Sequence, residues 1–133
     1  MKRSTLTNLA ALGCAALLTG CLFPRYTTLE EKYPVEKAGE AGETMTAEQA
    51  AAYIKDKLEN VPAGHHPDYP GDRAIGKFTT SVRLRRHNRT DLVLVEIKRG
   101  NHVALEFYVN DQEEGEKVAA AVWRLYREYH GRR

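Results

Sequence analysis

The chain has 133 residues, with 20 basic and 18 acidic side chains and a formal charge of +2. That length suits one small domain. The near-neutral balance argues against a nucleic-acid binder, because phosphate contacts need a marked basic excess. Two cysteines, Cys14 and Cys21, allow at most one disulfide.

Lys2 and Arg3 precede a mostly apolar run, Leu6 to Leu18, which ends in Leu18-Thr19-Gly20-Cys21. A charged start, a short apolar run and small residues before a cut site describe a secretory signal peptide. The run is too short for a membrane span of about 20 residues. The Leu-Thr-Gly-Cys ending resembles the lipobox of bacterial lipoproteins. That resemblance covers the signal alone. It implies cleavage after residue 20, two or three acyl chains on Cys21 and a membrane anchor in the cell envelope. Leu22 rather than Asp after the cysteine resembles members of that class sent to a Gram-negative outer membrane, facing the periplasm. Cys14 would leave with the signal and Cys21 would be consumed by lipid, so no free thiol is expected. Lys2 and Arg3 also leave, so 18 basic and 18 acidic side chains remain. The covalent lipid is the only cofactor expected.

Residues 21–45 read as the lipidated cysteine and a flexible acidic linker. They contain Pro24, Pro34, Gly39 and Gly42, five glutamates and no sustained apolar period. Such composition does not bury enough to offset ordering entropy, and as a coil it reaches about 25–30 Å.

The folded domain is expected over 46–133. Thr46 and Gln49 fit a capping box. Ala50, Ile54, Leu58 and Val61 then mark a helix face up to Pro62. Residues 62–76 read as a long Pro-, Gly- and His-rich loop. Three strands are predicted at Lys77–Arg86, Leu92–Arg99 and His102–Val109. A one-residue slip moves every side chain of a strand to the other face. The apolar parity therefore sets Ile97 against Leu105 and Val95 against Phe107, and predicts a three-residue connection at Gly100-Asn101-His102. A last helix is expected from Asn110 or Asp111, with Val118, Val122, Leu125 and Tyr129 as its stripe and Trp123 and Tyr126 beside it. The fold class is α+β: α-β-β-β-α, a three-stranded antiparallel meander with both helices on one face.

The other sheet face holds the candidate sites. Leu92, Leu94, Ala104 and Tyr108 form an apolar cluster there, suited to an envelope protein partner or self-association. The linker covers it if Tyr26, Tyr33 or Val35 folds back. Arg83, Arg85, Arg86 and Arg89 belong to a basic stretch. Residues 73–102 hold eight basic and two acidic side chains, a candidate surface for an anionic glycan or lipid head group. Parity sets Glu96 opposite Glu106 and Arg83 opposite Glu96. Two facing carboxylates suggest either a small hydrolase with a raised pKa or a plain charge network. His65, His66 and Asp68 are zinc-competent side chains, yet three groups in one Pro-broken loop do not define a site, and no metal is expected. No nucleophile elbow, HExxH, phosphate loop or CxxC occurs. The leading expectation is a membrane-anchored, non-enzymatic interaction or assembly module.

Overall fold

The computed structural model describes residues 25–33 and 45–131. The signal peptide, Cys21 and linker residues 34–44, Val35 among them, lie outside the described residues. The protein is α+β, with a four-stranded antiparallel sheet and three helices. The elements are β1 (Tyr26–Lys32), α1 (Ala47–Glu59), α2 (Asp72–Phe78), β2 (Ser81–His87), β3 (Val93–Arg99), β4 (His102–Val109) and α3 (Gln112–His130). The strands lie in chain order, β1-β2-β3-β4.

Helix α1 begins as its sequence predicts. Thr46 Oγ1 accepts from Gln49 N at 3.1 Å and Gln49 Oε1 accepts from Thr46 N at 3.0 Å. Two otherwise orphaned N–H groups are thereby satisfied. Its inward face, Ala50, Ala51, Ile54 and Leu58, is buried. Helix α3 is capped by Asp111, whose carboxylate accepts from Glu114 N at 2.9 Å. It packs on the sheet and against both α1 and α2. Its burial is therefore wider than one stripe. Trp123 is 1 % exposed rather than flanking, and Ala119, Ala120 and Ala121 are all buried, while Tyr129 is 42 % exposed.

Four predictions need correction. The first concerns the linker, which contributes an edge strand: β1 pairs antiparallel with β2, from Tyr26↔His87 to Lys32↔Val82. A register shift between Thr28 and Glu30 breaks its period, so no two-residue alternation marks it. The second concerns the 62–76 loop, which closes into α2. That helix has only seven residues and starts at Gly71 without a side-chain cap. Third, the strand predicted from Lys77 starts at Ser81, because Lys77 and Phe78 finish α2. Thr79 Oγ1 donates to Ile75 O at 2.6 Å and closes that helix.

The fourth correction is at the β3–β4 turn. Arg99 pairs with His102, so the connection is the two-residue Gly100-Asn101. Gly100 has φ 64°, which a glycine adopts without Cβ strain. The parity argument still holds deeper in the hairpin, where Ile97 faces Leu105 and Val95 faces Phe107. The extra residue sits in the strand, since Lys98 pairs with Val103 and the register shifts by one there. A bulge at Ala104 thus supplies the offset that the turn was expected to supply.

The inner sheet face carries Val82, Leu84, Val93, Val95, Ile97, Phe107 and Val109, each at most 3 % exposed. With Ile54, Leu58, Val118, Val122, Trp123 and Leu125 they form one core.

Candidate functional site

The outer sheet face is built in registered rows. One row runs Glu31, Arg83, Glu96, Glu106 across β1 to β4, and its neighbour runs Thr28, Arg85, Leu94, Tyr108.

Glu96 is the centre of the charged row and is 3 % exposed. Arg83 grips it with two bonds, Nε to Oε1 and Nη2 to Oε2, both 3.0 Å. Arg85 adds Nη1 at 3.5 Å from Oε1. The hydrogen bonds to Glu96 hold the Arg83 guanidinium above its ordinary pKa. Bidentate Arg–carboxylate pairs are the stronger kind of ion pair. Lys98 turns to β1 instead, where its Nζ lies 3.3 Å from Glu31 Oε1, and Ser81 Oγ donates to that same oxygen at 3.0 Å. Burial raises the pKa of Glu31, but the bonds from Ser81 and Lys98 and their neighbouring charges outweigh it and lower the pKa overall.

Across the other row the two edge strands meet. Neighbouring strands are about 4.8 Å apart, so β1 and β4 stand about 14 Å apart. Tyr26 and Tyr108 span that gap by leaning together, with hydroxyl oxygens 2.5 Å apart. His87 packs edge-on to both rings, at 5.3 and 6.4 Å. Arg85 lies 4.9 Å from the Tyr26 ring centroid, a cation–π contact. Leu94, in the row between them, is only 7 % exposed.

This geometry sorts the expected site residues. Leu94 is buried rather than open, and of the linker tyrosines Tyr26 is the one that reaches its row, through Tyr108, while Tyr33 stays 60 % exposed. Leu92 and Tyr108 are half-buried and Ala104 is exposed. Of the four arginines, Arg83 and Arg85 are held by Glu96. Arg86 and Arg89 are exposed at the β2–β3 turn. Glu96 and Glu106 do face each other, but one is buried between guanidiniums and the other is exposed. His65, His66 and Asp68 are exposed, and among the described residues no three metal-ligating side chains converge.

Sequence reasoning missed Glu31 and His87 as parts of this face, and with Glu31 the partner of Ser81. It also missed a cleft of about 110 Å3 between α2 and the β3–β4 hairpin, lined by Pro70, Phe78, Ile97, Arg99, Ala104 and Leu105. Both depend on elements that the sequence pattern hides.

Burial, the Tyr26 hydroxyl and Glu106 push Tyr108 from the ordinary value of 10 to about 12. The unfolded chain therefore releases this proton first. Tyr108 contributes stability that is whole below pH 10 and lost as pH rises towards 12. Tyr53 is pushed to about 12 in the same way and Tyr69 is also raised. A thermal melting series from pH 9 to 12 should show a falling Tm, and Tyr108→Phe should remove part of that fall. An unchanged slope would mean that the Tyr26–Tyr108 contact opens before Tyr108 titrates.

No protein-family model, curated protein or solved structure matches this chain.

Proposed function

We propose that the chain is a lipid-anchored envelope protein, acylated at Cys21, whose domain is a non-enzymatic interaction module. Its contact surface is the β4 side of the outer sheet face. The observation that carries this reading is the contrast between the two halves of that face. On β1 to β3 the charged side chains are tied to one another by Glu31 and Glu96. On β4, Ala104 and Glu106 are exposed, and Glu106 has no ion-pair partner among the described residues. β4 is also an edge strand, which offers unpaired backbone groups to an incoming strand. The cleft beside Phe78, Ala104 and Leu105 adds an apolar seat.

The alternatives draw less support. Hydrolysis by Glu96 and Glu106 needs a free carboxyl at both positions, and Glu96 has both oxygens on guanidiniums. An anionic ligand taken by Arg83 and Arg85 must displace Glu96 from between them.

The test places a photo-crosslinking residue at Ala104, at Glu106 and, as a control, at exposed Lys117 on α3, in the full protein in its native envelope. One shared adduct from Ala104 and Glu106, absent from Lys117, is the expected result. Ala104→Arg should cut that adduct about tenfold while the Tm holds, since exposed substitutions stay within about 0.5 kcal/mol. Equal adducts from Lys117, or none from β4, would reject the site.

A further inference from the structure

We infer that the corner of the domain formed by Arg25, Arg86 and Arg89 rests on the anionic head groups of the membrane that holds the lipid anchor. This rests on the acylation of Cys21 proposed above.

The first observation is a distance. The predicted tether of residues 22–45 is interrupted at Tyr26 by β1. Only residues 22–25 separate the lipidated position from the sheet. Four extended residues reach at most about 14 Å. The domain is therefore held close to the bilayer and not on a 25–30 Å coil. The second is position. Arg25 O accepts from Asn88 N at 2.9 Å, and Thr27 Oγ1 donates to Asn88 Oδ1 at 2.7 Å. These bonds bind the start of β1 to the β2–β3 turn, so that turn lies at the anchored end of the sheet.

The third is charge. Arg25, Arg86 and Arg89 are exposed at this corner, and none forms an ion pair with another described residue. Asp91 is the one acidic side chain of the turn. Arg86 continues the Val82–Leu84 face of β2 and so shares the helix side of this end with Asp111 and Glu113, in the cap and first turn of α3. In the turn itself Arg25 and Arg89 meet only Asp91, which leaves it net positive where the chain leaves for the membrane. Surface fields decay within about 8 Å at physiological salt, so proximity decides which cations count. Lys77 and Arg99 are at the far end, each against the Phe78 ring. The seven residues of β3 keep the two ends about 23 Å apart.

The test uses the acylated full protein in vesicles carrying a head-group quencher. One vesicle set is phosphatidylcholine alone and the other includes phosphatidylglycerol. A fluorophore is attached at Thr90→Cys in the anchored turn or at Asn101→Cys in the opposite turn. With Cys21 acylated and Cys14 removed, each variant has a single thiol. Mass spectrometry of the N-terminal peptide reports acylation in the same sample. The expected result is strong quenching at Thr90 in the phosphatidylglycerol vesicles and little at Asn101. High salt should relieve it. Changing Arg25, Arg86 and Arg89 together to Gln should lower the docked-to-free ratio about a hundredfold, at about fivefold for each arginine. Equal quenching at both turns, or no response to phosphatidylglycerol, in an acylated sample overturns the inference alone. An unmodified Cys21 sinks the anchor reading and the inference with it.

Discussion

Glu96→Ala should lower the Tm by about 10–20 °C, while Glu106→Ala on the facing strand should leave it nearly unchanged. The two carboxylates are direct neighbours across β3 and β4, but their surroundings differ. The Glu96 side chain is 4 % exposed and receives Arg83 and Arg85, whose own side chains are 27 % exposed. Removing one partner of a buried pair costs about 3–5 kcal/mol, because the remaining charge is left uncompensated. Here the remaining charges are two arginines on one strand, two residues apart on the same face. They repel each other once the anion is gone. Both can turn partly into water, so the cost falls just below that range, at about 2–3 kcal/mol. For a domain of this size each kcal/mol moves the Tm by about 4–8 °C.

Thermal melts of the two alanine variants, read side by side, decide the matter. Equal losses would mean that Glu106 is held as tightly as Glu96, contrary to its exposure. A loss of a few degrees or less for Glu96→Ala would mean that the guanidinium clamp is a surface pair of little weight. Replacing Arg83, Arg85 and Glu96 together by Met, Met and Leu should cost far less than the single alanine, because buried ion networks often trade evenly against well-packed apolar groups. That outcome would separate a scaffold from a reaction centre: activity that needs Glu96 cannot survive the triple change, and a fold that needs only a filled volume can.

The difference between what the sequence discloses and what it hides lies in how each element is stabilised. β2, β3 and β4 share one apolar inner face, so Val82, Leu84, Val95 and Phe107 recur at alternate positions and the parity argument finds their register. It also finds Arg83 opposite Glu96. β1 buries little and is held by polar pairs: Glu31 with Lys98 and Ser81, Thr27 with Asn88, Tyr26 with Tyr108. None of these leaves a periodic trace, because each partner lies more than 45 residues away in the chain. Composition then reads the strand as linker. The partner of Lys98 goes unread for the same reason, since it comes from β1, and Tyr26 is read only as one of three candidate covers for the apolar cluster. The bulge at Ala104 is hidden differently. An extra residue restores parity equally well in the turn or in the strand, and the apolar pattern is the same in both cases. α2 is hidden by its shortness and by Gly71 and Gly76, which read as turn residues.

Gly76→Val should destabilise the domain by about 3 kcal/mol and detach α2 from α3. A Cβ at Gly76 would lie 2.6 Å from Leu125 O and 2.5 Å from Tyr129 Cδ2. The Tyr129 ring is 42 % exposed and can swing aside. Leu125 cannot, because its carbonyl belongs to the body of a 19-residue helix. The two helices must therefore separate, which breaks the packing around buried Ile75. Gly76→Ala makes the same clash with a smaller group, and alanine regains about 1 kcal/mol of helix propensity. Its net cost should be about 1 kcal/mol, well below that of valine. Gly71 offers the contrast: nothing lies within 4 Å of its Cβ position, so Gly71→Ala meets only the strain of φ 105°. The glycine at 76 thus holds α2 near enough to α3 to form one wall of the cleft beside Ala104. If the β4 edge and this cleft make up one contact surface, Gly76→Ala should lower the crosslink yield from Ala104 while the domain stays folded. A Gly76→Val protein with unchanged Tm would mean that α2 does not dock on α3 in solution, and the cleft would lose its role as part of the binding surface.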